Sequence, residues 1–134
     1  MRKLVLPAVA ATVAIAVGVP IALASSSGTS VSVTEKEFKV TPSVKSVKAG
    51  SVTFKIKNRG LLDHTFAIVK TSIAASKLPV KNDRVTLKPI KDVGPFKPGK
   101  GGTLTLNLKP GKYVLYCNIK GHYKGGQRIA FTVT

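Results

Sequence analysis

The chain has 134 residues, one-domain length, and 43% of them are apolar, which excludes a disordered basic tail. Its formal charge of +17 comes from 22 Lys and Arg against 5 Asp and Glu, yet no nucleic-acid recognition motif accompanies that charge. One cysteine, two histidines and a lone methionine at position 1 leave few soft or imidazole groups for metal or redox chemistry.

Residues 1–24 read as a secretory signal. Arg2 and Lys3 make a positive start, Leu4 to Val19 is apolar, and Ala22-Leu23-Ala24 fits a small-x-small cleavage site. A membrane span needs about 20 residues, so an uncleaved anchor is the competing reading; Pro7, Gly18 and the cleavage triplet favour removal. Either way the rest of the chain is expected outside the cytoplasm, secreted or on the periplasmic or extracellular side of the envelope. Losing Arg2 and Lys3 would take the charge from +17 to +15. Residues 25–30 form a Ser/Gly/Thr linker, and 31–134 the domain.

From Val31 short alternating runs are broken by turn residues. Val31 with Val33, then Phe38 with Val40 up to Pro42, predict the first strands, and Val44 and Val47 lead into a turn at Lys48-Ala49-Gly50. Val52, Phe54 and Ile56 alternate with Thr53, Lys55 and Lys57, a half-buried strand closed by Asn58-Arg59-Gly60. His64 to Val69 predicts the next strand. Across 70–92 the pattern weakens: Ile73 to Lys77 allows one helical turn, Pro79 stops it, and Val85 to Ile90 reads as a strand. Gly94 to Gly99 is a loop. Leu104, Leu106 and Leu108 alternate with Thr103, Thr105 and Asn107, Lys109 to Lys112 is a tight turn, and Tyr113 to Cys117 and Ile129 to Val133 are the last strands. About seven or eight short strands without a repeat predict an all-β Greek-key β-sandwich. Phe38, Phe54, Phe66 and Phe131 are expected in its core, Tyr116 between its sheets and Tyr123 partly over the site. Leu61 and Leu62 fit either core packing or an apolar rim.

The chemistry concentrates in Cys117-Asn118-Ile119-Lys120-Gly121-His122-Tyr123-Lys124-Gly125-Gly126-Gln127, with four residues between Cys117 and His122 and four between His122 and Gln127. A thiolate at a strand end and an imidazole in the following loop can converge on one ion, and the glycines permit a tight loop. His64, at the start of another strand, is the remaining imidazole. Singly, each residue reads as ordinary core or surface. Together they supply two imidazoles and a thiolate, with a Gln oxygen as weak axial donor, the donor set of a blue-copper site. A lone cysteine in an exported chain also needs protection, which ligation provides.

This constellation, with Asn58 and Asp63-His64-Thr65-Phe66 upstream and the phrases at 48–54 and 109–117, resembles the cupredoxin family over essentially the whole exported chain. The resemblance implies one type 1 copper ion on His64, Cys117 and His122 at one pole of the sandwich. It also implies that His122 is the exposed edge for electrons. Gln127 stands where most members carry Met, as in stellacyanin-like members; an amide oxygen is harder than a thioether and favours Cu(II), so a lower reduction potential follows. Thr65 replaces a common Asn, and its N–H or hydroxyl is placed to hydrogen-bond the Cys117 sulfur.

The implied function is one-electron transfer, not enzymatic turnover, since both histidines are already used and a binuclear copper centre needs a second cysteine. Copper capture or delivery is the alternative; zinc would also fit one thiolate and two imidazoles, and a metal-free basic adhesion module is a further reading. The positive field predicts an acidic redox partner and allows association with anionic envelope polymers or lipids; export and the missing recognition motif predict no nucleic acid, and a monomer is expected.

Overall fold

The structure, a computed structural model, describes residue 14, residues 18–21 and residues 27–134. The rest of the predicted signal segment and residues 25 and 26 of the linker lie outside the described residues. In chain order the elements are β1 (Thr29–Lys36), β2 (Lys39–Pro42), β3 (Ser46–Val47), β4 (Gly50–Asn58), β5 (His64–Lys70), a 3-10 turn (Ala75–Lys77), β6 (Val80–Lys81), β7 (Arg84–Val85), β8 (Lys91–Phe96), β9 (Gly101–Leu108), β10 (Gly111–Tyr116), α1 (His122–Gly125) and β11 (Arg128–Val133).

Two sheets pack face to face. One has the order β2-β1-β4-β9 and the other β3-β11-β10-β5-β8; β6 and β7 form a separate ribbon. β1 runs parallel to β4, with Val31 opposite Phe54 and Glu35 opposite Asn58. β10 is antiparallel to both β5 and β11, which places Tyr116 beside Ala67 and Arg128. Those registers bring the start of β5, the end of β10 and the start of β11 to the same pole.

Alternation explains the first core. Val31, Val33, Val52, Phe54 and Ile56 point inward from one sheet, and Phe66, Ile68, Leu115, Phe131 and Val133 answer from the other. Phe54 contacts Phe66 and Phe131 with ring centroids 5.2 and 5.7 Å apart. A second apolar cluster lies outside β5 and β10, where Leu78, Val85 and Tyr123 cover Ala67, Val69, Val114 and Tyr116. Covered on both faces, these strands read in sequence as unbroken apolar runs. Tyr116 therefore belongs to the outer cluster and does not pack between the sheets as expected; its inward-pointing neighbour is Leu115.

Three further expectations change. Among the described residues the strands number eleven because β3, β6 and β7 are two-residue pieces below the reach of periodicity. β1 starts at Thr29, inside the expected linker. The strand expected over Val85 to Ile90 reduces to the tip of β7, and β8 extends into the expected loop as far as Phe96, pairing with β5 so that His64 faces Phe96. Between β6 and β7, Asn82 and Asp83 both have positive φ (51° and 59°), the signature of a two-residue hairpin. Among the described residues no helix is long and apolar enough to cross a membrane.

Candidate metal centre

His64 opens β5, Cys117 follows β10, His122 opens α1 and Gln127 precedes β11, so three adjacent strands deliver all four to one pole. The backbone of Gln127 ties the loop together: it accepts a hydrogen bond from the Cys117 N–H (3.1 Å), and its own N–H donates to the His122 carbonyl (3.1 Å). Gly121 (φ 82°) and Gly126 (φ 120°) take left-handed conformations that close this loop. Upstream, buried Asn58 shapes the approach to His64. Its amide donates to the carbonyls of Leu62 (2.8 Å) and Phe96 (2.7 Å), and its oxygen accepts from the Gly60 N–H (2.8 Å).

His64 Nδ1, His122 Nδ1 and Cys117 Sγ converge. The two nitrogens are 3.2 Å apart, and the sulfur lies 4.0 Å from the first and 3.5 Å from the second. The point equidistant from these three atoms lies about 2.1 Å from each, a bonding distance for a transition metal on imidazole and thiolate. Among the described residues this is the one His/Cys/Asp/Glu group close enough to hold an ion, and all three members are buried. The donor set fits the metal.

The fourth expected residue adds a second sign of fit. Gln127 is wholly buried. Its amide nitrogen donates to Glu35 Oε2 at 2.5 Å, while its Oε1 has no hydrogen-bond partner. A buried acceptor without a partner is costly, and here it belongs to the side chain singled out as a weak axial donor.

Electrostatics follow from burial. Desolvation raises the Cys117 thiol pKa, opposed by hydrogen bonds from the backbone of Ile119 and Thr65. Thr65 donates to the sulfur through its N–H (3.3 Å) and its hydroxyl (3.8 Å), as its position predicted. Burial lowers the His122 pKa, with neighbouring His64 adding to the effect. Both groups are therefore neutral near pH 7 without a metal, and ligation must displace the thiol proton.

The surroundings depart from the sequence reading in several places. His122 is only 8% exposed, not an exposed edge, because Phe38 stands edge-on against it with centroids 5.0 Å apart. Phe38, expected in the core, is 42% exposed; its turn between β1 and β2 carries it to the metal pole, where it lies over Gly125. Tyr123 does not cover the site; its hydroxyl is bound beneath the 71–90 segment, accepting from the Leu78 N–H and donating to the Ala75 carbonyl. Leu61 and Leu62 are exposed and do not pack in the core.

Two carboxylates escaped the sequence reading. Glu37 Oε1 lies 2.8 Å from His64 Nε2. The N–H groups of Leu62 and Leu61 hold its carboxyl far below the usual range, at about 2. Glu35 is fully buried against Gln127, and desolvation pushes its carboxyl up to about 8. Neither lies near the ligands in sequence; the one cue was a glutamate at a position of β1 where alternation calls for an apolar residue.

No protein-family model matches the sequence, and neither does any curated protein. Solved structures do. A dithionite-reduced auracyanin from the photosynthetic bacterium Roseiflexus castenholzii shares 25% identity over 80% of this chain and 98% of its own, with a TM-score of 0.61. Rusticyanin from Thiobacillus ferrooxidans shares 20% over 81% of this chain and 79% of its own, TM-score 0.58. A second rusticyanin structure, described as that of a copper protein, shares 22% over 81% and 80%, TM-score 0.57. The chain is a cupredoxin by fold. Within this cupredoxin His64, Cys117 and His122 form a candidate site for one type 1 copper ion.

Proposed function

We propose that this cupredoxin is a one-electron carrier that works outside the cytoplasm, with His64, Cys117 and His122 as strong ligands and Gln127 as the axial one. The convergence of two ring nitrogens and one sulfur around a single bonding point carries the reading. Copper held there supplies the redox chemistry, one electron gained or lost between Cu(II) and Cu(I). The chain's part is to keep the donors fixed. Three paired strands and the Gln127 backbone bonds hold the ligands, the Thr65 N–H stabilises the thiolate, and Phe38 keeps water from His122. A cradle built this way needs little rearrangement between oxidation states. No histidine remains in the sequence for a substrate-binding copper centre, which argues against an enzyme.

Surface charge supports an acidic redox partner or anionic envelope polymers. The outer face of the β1-β4-β9 layer presents Ser32, Thr34, Lys55, Lys57 and Thr103, with no carboxylate among them. Three of the five acids are already engaged elsewhere, Glu37 at His64, Asp83 with Lys124 and Glu35 buried against Gln127. Such a field speeds encounter with a negative partner, weakens with salt, and keeps like copies apart as monomers.

Adding Cu(II) to the purified protein tests the proposal. An intense visible thiolate-to-copper band, absent in Cys117→Ser, together with a reversible one-electron wave is the expected result. A colourless complex, or a blue one without a reversible wave, would instead assign storage or delivery.

A further inference from the structure

We propose that Glu37 is a positioning residue for the metal centre: its carboxylate takes the Nε2–H of His64, thereby directs the bare Nδ1 at the ion, and through its charge biases the site toward the oxidised metal. The inference rests on the function proposed above. Its geometry stands on four observations.

First, the carboxylate is held independently of the histidine. Oε1 accepts from the N–H groups of Leu61 (2.9 Å) and Leu62 (2.7 Å), and Oε2 accepts from Leu61 (3.1 Å). Second, the backbone beside it is cleared for it, since a Cβ at Gly60 would collide with the carboxylate. Third, an ionised carboxylate can only accept. At 2.8 Å from Nε2 it therefore fixes the ring proton on that nitrogen and leaves the Nδ1 lone pair facing Cys117 Sγ and His122 Nδ1. Fourth, His64 is wholly buried and about three quarters of the Glu37 side chain is covered, so water screens the pair only in part.

A tie between loops would need only the Leu61 and Leu62 bonds. The additional contact with His64 links the carboxylate to the ligand itself, the arrangement by which an outer partner orients a ligating imidazole and raises its basicity. A negative charge one imidazole away from the ion stabilises the higher metal charge. Because Gln127 favours Cu(II) as well, both act in the same direction.

The test compares the whole protein with Glu37→Gln and Glu37→Asp. Gln preserves shape and an acceptor oxygen but removes the charge; Asp retains the charge. In Glu37→Gln, Cu(II) affinity relative to Cu(I) should fall about tenfold, read as a rise of about 59 mV in reduction potential. Glu37→Asp should shift the potential less. An unchanged potential in Glu37→Gln, or equal shifts in both variants, overturns the charge role. Nitrogen-15 NMR of metal-free wild type provides a readout that needs no copper: His64 should be a single Nε2–H tautomer, and an Nδ1–H tautomer overturns the positioning role. If wild type forms no blue copper complex, the carrier reading fails, while the tautomer still decides what Glu37 does.

Discussion

Phe38 and His122 meet edge to face, centroids 5.0 Å apart with 68° between the ring planes, and the phenyl ring shields the imidazole from solvent. Gly125 gives the ring room, since a Cβ there would sit 3.1 Å from the Phe38 ring. Phe38→Ala should open this cover. Aromatic pairing of this kind contributes about 0.5–1.5 kcal/mol, and a loss of that size is expected in denaturant titrations. In the metal-free variant the His122 pKa should climb back toward the ordinary imidazole value, because burial is the main cause of its depression. An NMR titration in which His122 is unmoved would mean that Phe38 does not shield it.

Gln127 divides its amide between two tasks. The nitrogen binds Glu35, and the oxygen is left without a partner at the metal pole. Gln127→Met replaces a hard oxygen with a thioether, which favours Cu(I). The reduction potential should therefore rise. An unchanged potential would mean that the oxygen is not an axial donor.

The candidate ligands and the Thr65 contact to the sulfur were legible in the sequence, whereas Glu37 and Phe38 were not, for a physical reason. Cys117, His122 and Gln127 share one loop with fixed spacing, and His64 was the other histidine available. Glu37 and Phe38 instead reach the site through a two-residue turn between β1 and β2. Their placement depends on how the β1-β4 layer sits over β5, which no local period encodes. Alternation identified β4 and β9 well because each has one wet face. It misplaced Tyr116, since β10 is buried on both sides, and lost the segment from Val80 to Phe96. Its two-residue strands β6 and β7 are set by the Asn82-Asp83 turn, and β8 by its pairing with β5.

Glu35 predicts a pH-dependent stability. Burial raises its folded pKa from 4.5 to about 8, so the native state holds this proton more tightly than the unfolded chain. Stability from this group is then complete below about pH 4.5, falls as pH rises, and levels off above about pH 8. The difference amounts to a few kcal/mol, from about 1.4 kcal/mol per pH unit. Metal-free Glu35→Gln, which cannot ionise, should show a flatter profile in thermal melts between these limits. Equal slopes in wild type and variant would mean that Glu35 does not titrate in this range.

Tyr123 fastens the cover of the second core to the ligand loop. It follows His122 in α1, is buried, and packs against Tyr116 with centroids 6.2 Å apart. Its hydroxyl accepts from the Leu78 N–H (2.9 Å) and donates to the Ala75 carbonyl (2.7 Å). Arg128 clamps the same residue, with its guanidinium 5.0 Å over the ring and Nη1 bonded to the Tyr123 carbonyl at 2.6 Å. Tyr123→Phe retains the ring and the Arg128 contacts but strands a buried N–H at Leu78, which costs about 1–3 kcal/mol. The loss should be local in its dynamics: the Leu78 amide, protected in wild type, should exchange faster with deuterium while the amides of Phe54 and Phe66 in the inner core keep their protection relative to global stability. If Leu78 exchange is unchanged, the hydroxyl does not hold the segment, and the 71–90 connection must depend on its apolar contacts alone.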